Sequence, residues 1–447
     1  MPMPVPMLAA ALLLSPLACG DKEAGDDTGT SPVDAPTWHQ DVAPIYAKSC
    51  MGCHTDGGMG PFRLDVYEDA ATWATASAEA TAARTMPPFL VTGDGTCGDF
   101  ADNQWLSEEE LATIQAWAEA GAPEGEAGTP VTPIPAPTLP EGTVDLSTPL
   151  FVPEIVGGEY AEFDEYRCFD LGEVTEEGYL TGYDVSPGNA AMVHHVLMMP
   201  VDPEAVGGGG RTAAEIMADL DAEDDREGWP CFSGAGNGVP DLGTPVAWAP
   251  GQGAVLYPEG TGVKLAPGQR LIAQVHYNLV DSALHGQSDQ TTLHLLVEDE
   301  VEREGFFALP DGFLATLGAF NEAAIPPGED AWTYTWSMQT LDLLYYYGGS
   351  YDGITGAELW GVMPHMHQAG EAMTVSIDGT CAAEVRQWDF TWQRIYFYEE
   401  GLPLTGEETL EVSCTWDTQG QTEEVTPGWG SYNEMCLPVL YVVLNRG

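Results

Sequence analysis

The spacing of apolar residues changes across a Pro-, Thr- and Gly-rich stretch at residues 127–144, which reads as a flexible linker. Before it, residues 37–126 carry Ala, Glu and Trp at helical spacing. After it, apolar and polar residues alternate in short runs such as LIAQVHYNLV and TTLHLLVE, separated by Gly, Pro and Asp turns. This β-rich part is too long for one small sandwich, so we predict two β-domains, at 145–300 and 301–447. The expected fold is multidomain: a small all-α domain followed by two tandem all-β sandwich domains.

One helix of the first block is well defined by its sequence. LSEEELATIQAWAEAGAPEG places Ser107 at the N-cap and Glu110 three residues later, which is the pattern of a capping box. Ile114 and Trp117 follow at helical spacing, and Gly121 marks the end. We expect an amphipathic helix whose apolar side faces the core of the block.

The first residues, MPMPVPMLAAALLLSPLACG, contain an apolar run that is too short to span a bilayer as a mature helix. We interpret residues 1–19 as an export signal of the lipoprotein type, with Cys19 as the lipidated residue. Residues 20–36 are polar and are predicted to be a flexible tether. The protein is therefore expected in the bacterial cell envelope, facing the periplasm or secreted, where disulfides persist. Membrane contact would occur only through the lipid anchor.

The charge of the chain excludes two classes of partner. The sequence has 13 Lys and Arg residues against 70 Asp and Glu residues, a net charge of −57. Such a surface repels nucleic acid and anionic lipid. The acidity itself is interpreted as a solvated surface and is given no catalytic meaning.

Residues Cys50-Met51-Gly52-Cys53-His54 form a Cys-x-x-Cys-His motif. Two thiols at this spacing can bond the vinyl groups of haem, and the adjacent His54 then reaches the iron. A zinc pair or a redox dithiol, the two alternatives, would not need the trailing histidine. The motif therefore predicts a covalently bound haem c.

The second axial ligand of this haem is predicted to be Met86 in RTMPP, with Met59 or another methionine as the alternative. Residues 37–126 resemble a small class I cytochrome c over their whole length, and that family presents its ligand sulfur from a Met-Pro-Pro loop. A haem with both axial positions filled transfers single electrons. We therefore expect another part of the chain to receive them.

Five of the eight histidines other than His54 lie in three predicted strands. His194 and His195 are in AMVHHVLMMP, His276 is in AQVHYN, and His365 and His367 are in MPHMHQAG. A His-x-His pair shares one face of a strand, yet such a pair is often a surface accident. Neighbouring histidines such as His194 and His195 point to opposite faces of a regular strand. A single histidine such as His276 can equally be a core residue.

Met435 precedes a strongly apolar strand in NEMCLPVLYVVL. It is either a core methionine or a thioether ligand. Together with His365 and His367 it would form a His₂Met site, a donor set that favours copper and stabilises Cu(I). The other three histidines would form a separate His₃ site.

The β-rich part, from about 145 to 447, resembles the type II copper, ascorbate-dependent monooxygenases, the family of the peptidylglycine α-hydroxylating and dopamine β-monooxygenases. The likeness rests on four motifs that occur in the family's order: HHV, QVHY, HMHQAG and NEMC. It implies two tandem, jelly-roll-like β-sandwich domains that hold one copper each and face each other across a solvent cleft. It also implies ascorbate as a reductant, since the animal members use it.

The resemblance also implies a role for each ligand. The electron-transfer copper would be held by His194, His195 and His276. The copper that binds O₂ would be held by His365, His367 and Met435. Gln274 and Tyr166 match positions beside the first copper, where they would support the site without reacting.

Six cysteines remain once Cys19 and the two haem thiols are set aside. Six cysteines allow fifteen pairings. The resemblance implies the disulfides Cys414–Cys436 and Cys168–Cys231. The two left over, Cys97 and Cys381, would if paired tie the helical block to the C-terminal β-domain.

The sequence departs from the peptide-amidating members of the family at their substrate clamp. Those members carry Arg, Asn and Tyr where this chain has Met363, Leu437 and Val439. The expected substrate is therefore an organic molecule that is more apolar or smaller than a peptide C terminus.

Together these features predict a copper monooxygenase that hydroxylates a C–H bond of a small organic substrate with O₂, an oxidoreductase acting on paired donors. The attached haem c would deliver the electrons to the copper at His194, His195 and His276, because a tethered carrier raises the local concentration of donor. A non-enzymatic envelope protein that carries copper or electrons would use the same ligands and is the main alternative. A peroxide-handling dihaem enzyme would need a second Cys-x-x-Cys-His, which the sequence lacks.

Overall fold

The structure is a computed structural model that describes residues 35–447 except 57, 59, 129–130, 135–136, 156–162, 224, 232–233, 251, 314–323, 391 and 429–432. The predicted signal, Cys19, nearly all of the tether and the alternative haem ligand Met59 lie outside the described residues. Residues Pro36–Gly447 form one compact unit. Among the described residues, no helix combines the length and the apolar character needed to cross a membrane.

The first block is helical, as its spacing predicts. A short π-helix at Trp38–Val42 leads into four α-helices, namely α1 (Ala43–Ser49), α2 (Tyr67–Thr72), α3 (Ala74–Ala82) and α4 (Glu108–Glu119). The predicted capping box begins α4, because the Ser107 side chain accepts from the Glu110 N–H and the Glu110 side chain accepts from the Ser107 N–H. Trp117 then packs against the Trp38 ring at 5.8 Å between centroids, in the buried core of this block.

The remaining described residues are mainly strands. A short helix, α5, covers Ala213–Asp221, and 3-10 turns lie at Gly208–Gly210, Ser282–Leu284 and Thr340–Tyr346. The strands are β1 (Val144–Ser147), β2 (Asp164–Glu173), β3 (Gly178–Ser186), β4 (Val193–Val201), β5 (Trp229–Pro230), β6 (Val246–Trp248), β7 (Val255–Leu256), β8 (Thr261–Leu265), β9 (Arg270–Asn278), β10 (Thr292–Glu298), β11 (Arg303–Ala308), β12 (Trp332–Gln339), β13 (Ile354–His365), β14 (Gly370–Ile377), β15 (Thr380–Val385), β16 (Tyr396–Leu404), β17 (Thr409–Trp416) and β18 (Leu437–Arg446).

These strands form three sheets. The largest has the order β1-β10-β3-β8-β11-β18-β13-β16, with β7 beside β3. A five-stranded sheet has the order β5-β2-β9-β4-β6, and a four-stranded sheet has the order β12-β17-β14-β15. The chain is thus mostly β-sheet with few helices, which is consistent with tandem β-domains.

Strand β18 lies between two hydrophobic cores. Leu437, Val439 and Tyr441 point into the core that contains β4 and β9, whereas Leu440 and Val442 point into the core that contains β14 and β17. A strand buried on both faces reads as a continuous apolar run, which explains the sequence LPVLYVVL. The large sheet therefore joins the two predicted β-domains, and β8 and β11 meet in it as parallel neighbours.

Part of the first block leaves the helical core and packs on the C-terminal strands. Phe89, Val91 and Phe100 belong to the same buried core as β14 and β17. The structure forms the disulfide Cys97–Cys381 at this junction. It also forms the other two pairings that the resemblance implies, Cys168–Cys231 and Cys414–Cys436.

Candidate metal centres and haem-attachment site

His195 on β4 stands directly opposite His276 on β9 in an antiparallel pair. The register shifts between Val193 and His195, so His194 occupies an irregular, bulge-like position. Such a bulge changes the direction of one side chain, which allows two neighbouring histidines to approach the same point.

The three imidazoles form a group that suits a metal ion. Each offers one nitrogen, and these nitrogens lie within 4.8 Å of one another. The Nδ1 atoms of His195 and His276 are 3.2 Å apart, whereas two nitrogens that bind one metal at about 2.0 Å and a tetrahedral angle would be roughly 3.3 Å apart. His194 Nδ1 is buried and has no hydrogen-bond partner within the described part of the chain. A buried nitrogen without a partner costs folding free energy unless a metal or another group binds it.

Two residues predicted to support this group lie against it. Tyr166 on β2 is paired with His276 and stacks on its ring, with centroids 4.0 Å apart and 13° between the planes. Gln274 lies close enough to His195 to oppose the lowering of its pKa, and its amide donates to the Gly234 carbonyl oxygen at 2.8 Å. The stacking of Tyr166 restricts the orientation of the His276 imidazole.

The sequence analysis missed Asp164, whose carboxylate lies 3.4 Å from His276 Nε2. Burial raises the pKa of Asp164, and the nearby His194 acts in the opposite direction. A carboxylate beside a metal-binding histidine favours the tautomer that leaves the other nitrogen for the metal. The chain has 70 Asp and Glu residues, so residue type alone does not mark Asp164 as special. Only its pairing with Asn278, at the end of β9, could have indicated its place beside the histidines.

The histidines of this group are held in the neutral form that binds metals. Burial lowers the pKa of His194 and shifts the pKa values of His195 and His276 well below the usual range. Neighbouring imidazoles lower the pKa of His195 further, and His365 is one of them. The second predicted group lies near the first, because the ring of Phe390 contacts both His194 and His367.

The second group is built at the end of β13. The ring centroids of His365 and His367 are 5.0 Å apart. His365 Nδ1–H donates to Gln393 Oε1 at 2.5 Å, and His367 Nδ1–H donates to the Asn433 carbonyl oxygen at 3.0 Å. Because both Nδ1 atoms carry a proton and a partner, both Nε2 atoms are left as acceptors for a metal.

Met435 lies beside this group. His365 is paired with Leu437 across β13 and β18, and the His367 N–H donates to Glu434 Oε2, so the residues around Met435 contact both histidines. Its side chain is buried, with 1% of its surface exposed. Two imidazoles and a thioether at one strand end form a donor set suited to copper.

Glu434 is a second residue that the sequence analysis missed. Its buried carboxylate accepts the N–H groups of His367 at 2.9 Å and Ala369 at 2.7 Å, and the indole N–H of Trp416 at 2.8 Å. Burial raises the pKa of Glu434 to about 7, although the three N–H donors oppose the shift. Its one signal in the sequence is its position directly before Met435, the predicted thioether ligand.

The ring of Phe390 lies between the two histidine groups. It stacks on His194 with centroids 5.6 Å apart, and it meets His367 edge-on at 6.2 Å. Where the resemblance implies solvent between the two sites, the structure has this aromatic ring. Phe390 gave no signal in the sequence because it belongs to an irregular segment between β15 and β16.

The Cys-x-x-Cys-His motif follows α1. Cys50 and Cys53 form no disulfide, and His54 Nδ1–H donates to the Phe62 carbonyl oxygen at 2.9 Å. This bond fixes the tautomer and leaves Nε2 for an iron, so the arrangement fits a covalently held haem. Gly60 packs against the imidazole, where an added Cβ would be 2.5 Å from His54 Nδ1.

The predicted axial ligand Met86 is half-buried just after α3, where its N–H donates to the Ala80 carbonyl oxygen. No described hydrogen bond or ring contact joins Met86 to His54. Its role as haem ligand therefore stays a prediction.

Comparison with known proteins supports the C-terminal part of this picture. Residues 316–444 match the family model of the copper type II ascorbate-dependent monooxygenase C-terminal domain. That range contains His365, His367 and Met435. A curated relative, tyramine beta-hydroxylase of Caenorhabditis briggsae, is 24% identical over 209 residues, which cover 44% of this chain. The match spans 33% of the relative's length.

Likenesses to solved structures are weak. The major capsid protein P2 of bacteriophage PM2 covers 68% of this chain and 98% of its own, at 10% identity and a TM-score of 0.24. A structure of the infectious bursal disease virus Gt strain covers 70% of this chain and 75% of its own, at 10% identity and a TM-score of 0.15. TM-scores this low do not establish a shared fold.

Proposed function

We propose that this protein is a copper-dependent monooxygenase that inserts one oxygen atom of O₂ into a C–H bond of a small organic substrate. The observation that carries the proposal is the pairing of two donor sets, a His₃ group and a His₂Met group, in a chain whose residues 316–444 match the monooxygenase family. Copper bound at these sites would supply two electrons and the activation of O₂.

The protein side chains would orient and protect this chemistry. Gln393 and the Asn433 carbonyl oxygen hold His365 and His367 with Nε2 available. Tyr166 fixes the ring of His276 in the other group. Such outer contacts set the direction of each ligand before a metal binds, which lowers the cost of assembling the site.

The substrate that we propose is small and at least partly apolar. Met363 is paired with Val439 across β13 and β18, and Leu437 is paired with His365. These three apolar side chains occupy the positions of the peptide clamp, so no guanidinium or phenol is present there to hold a carboxylate. One relative is named for tyramine, a small amine, and the size of that molecule agrees with the substrate proposed for this protein.

Electron supply is the second part of the proposal. A haem c held by Cys50, Cys53 and His54, with Met86 as the proposed second axial ligand, would deliver electrons one at a time to the copper sites. We also propose export to the bacterial cell envelope, with lipidation at Cys19, because haem c attachment and the three disulfides both suit an oxidising compartment.

Metal analysis and oxygen uptake test this function. We expect two coppers and one haem per chain, and substrate-dependent O₂ consumption that yields an alcohol. Met435→Leu keeps the side-chain volume but removes the sulfur, so it should abolish substrate-dependent uptake. Met373→Leu, also a buried methionine in a strand, is the matched control and should retain it.

Tight copper binding without substrate-dependent uptake would instead support an envelope protein that carries copper or electrons. Zinc in place of copper, or no bound metal, would contradict both functions.

A further inference from the structure

The four-stranded sheet carries a row of aromatic rings that begins beside the His₂Met group. Strand β17 ends at Trp416, whose indole N–H donates to Glu434 Oε2 at 2.8 Å. The same oxygen accepts the backbone N–H of His367 at 2.9 Å. The side chain of Trp416 is fully buried. One carboxylate oxygen thus lies between this buried indole and the backbone of a proposed copper ligand.

The disulfide Cys414–Cys436 holds Trp416 in this place. Cys414 lies two residues before Trp416 on β17, and Cys436 directly follows Met435 in the chain. The covalent bond therefore ties the strand that carries the buried indole to the segment that carries the proposed thioether ligand. The distance between the indole and the site is fixed by this bond as well as by the shared carboxylate.

From Trp416 the row continues outward to strand β12. Trp332 on β12 is paired with Trp416 across the two strands, and their ring centroids are 5.5 Å apart. Tyr334, on the same face of β12, stacks on Trp332 with centroids 6.3 Å apart and 10° between the planes. Strand β12 is the first in the order β12-β17-β14-β15, and the side chains of Trp332 and Tyr334 are half-buried. The row therefore leads from a buried ring beside the site to rings that reach solvent.

The chemistry of these side chains suits the transfer of an oxidising equivalent. Indole and phenol rings lose an electron far more readily than a phenyl ring does. Electronic coupling falls steeply with distance, so rings in contact pass an electron in short steps. An enzyme that activates O₂ generates an oxidant whenever its reduction runs ahead of substrate binding. That oxidant attacks groups beside it such as the Met435 thioether, and sulfoxide formation converts an apolar ligand into a polar one.

We propose that Trp416, Trp332 and Tyr334 form a protective relay, which discharges the oxygen-activating site when no substrate is bound. This inference rests on the proposed function, because the oxidant is the copper centre that has reacted with O₂ and has no substrate C–H bond to attack. The relay lets the oxidising equivalent leave through three rings before it damages the ligands.

Each discharge of the relay moves one electron inward. The electron passes from Trp416 to the oxidised copper centre, from Trp332 to Trp416, and from Tyr334 to Trp332. Tyr334 releases its phenolic proton to water and becomes a neutral phenoxyl radical. One electron and one proton from an external reductant such as ascorbate then restore the phenol, so the only reagent consumed is that reductant.

Substrate-free turnover of the copper-loaded holoprotein tests the relay. The protein is supplied with ascorbate and O₂ but no substrate, and its lifetime is the amount of O₂ consumed before activity is lost. Freeze-quenched EPR detects the phenoxyl radical, and peptide mass spectrometry locates oxidised residues. The wild-type protein should show this radical and should accumulate oxidation at Trp332 and Tyr334 before Met435.

Trp332→Phe breaks the relay in its middle while keeping an aromatic ring in the sheet. No described contact joins Trp332 to Glu434 or to a proposed ligand, so the initial substrate-dependent rate should equal that of wild type. The substrate-free lifetime should fall several-fold, the phenoxyl signal should disappear, and Met435 sulfoxide should form first. Tyr334→Phe should also lose the phenoxyl signal, with an indole radical at Trp332 in its place.

Trp360→Phe is the matched control, since Trp360 is a half-buried tryptophan on β13, the strand that ends at His365, and no described ring contact joins it to the row. It should keep the wild-type lifetime and radical. An unchanged lifetime and oxidation pattern in Trp332→Phe would overturn the inference, as would an equal loss in Trp360→Phe. If the wild-type protein consumes no O₂ in a copper-dependent way, the proposed function itself is wrong, and the relay with it.

Discussion

The carboxylate of Glu434 accepts the backbone N–H of His367 at 2.9 Å, and so connects the segment that leads into β18 to the turn that follows β13. Met435 is the next residue after Glu434. One buried carboxylate thus positions the backbone on both sides of the proposed His₂Met site.

Glu434→Gln should disturb this site while leaving the His₃ group intact. Glutamine has the same size, but its NH₂ group would replace one accepting oxygen of the carboxylate. The N–H group that donates to that oxygen would then face another donor. We expect a loss of about 1–3 kcal/mol in the free energy of unfolding, because a buried donor is left unsatisfied. Chemical denaturation measures this loss, and EPR should show that the copper signal of the His₂Met site weakens selectively.

Glu411→Gln is the matched control for Glu434→Gln, since Glu411 is exposed on strand β17. Equal effects of the two substitutions on stability and copper content would contradict the positioning role of Glu434.

His276→Ala should remove one copper per chain and retain the other. The Nδ1 atom of His276 lies 3.2 Å from that of His195, so its loss leaves two nitrogens for the His₃ site. Elemental analysis after dialysis measures the copper content, and His294→Ala serves as control because His294 pairs with Asp145 at 2.8 Å, outside both groups. Full copper retention in His276→Ala would contradict the assignment of this ligand.

Some of these features are readable from the sequence for clear physical reasons. The capping box at Ser107 depends on local contacts, so the residue pattern predicts it. Histidine is rare in this chain, so the five that fall in three strands are informative, and the structure gathers His194, His195 and His276.

Other features depend on contacts between distant parts of the chain. The irregularity at His194 is a matter of register between β4 and β9, and no residue type marks it. The burial of β18 on both faces arises only when two cores form around it. Phe390 belongs to an irregular segment, where spacing carries no information about which groups a side chain will meet.

The stability of the C-terminal strands should depend on pH through Glu408. Its carboxylate accepts hydrogen bonds from the Thr405 N–H and hydroxyl, the Gly406 N–H and the Thr340 hydroxyl, which lower its pKa to about 2. Because the pKa in the folded protein lies below that of an unfolded glutamate, the stabilisation is complete above about pH 4.5 and is lost as the pH falls towards 2.

Comparison of Glu408→Gln with wild type isolates this contribution. The difference in unfolding free energy should be largest near neutral pH and should shrink steadily below about pH 4.5. Glu407→Gln, an exposed neighbour, should show no such trend. A difference between Glu408→Gln and wild type that stays constant with pH would contradict the role of these hydrogen bonds.

The disulfide Cys97–Cys381 should hold the helical block against the C-terminal strands. It closes a loop with a sequence separation of 284 residues, and a disulfide that closes so long a loop strongly restricts the unfolded chain. Replacing both cysteines with Ala should lower the free energy of unfolding by about 2–5 kcal/mol. Thermal unfolding measures this loss, and limited proteolysis should show faster cleavage between residues 89 and 106. Contacts such as the hydrogen bond between Leu90 and Tyr396 would keep some docking in the variant. Unchanged stability and proteolysis, or free thiols at both positions in wild-type peptide maps, would contradict this role.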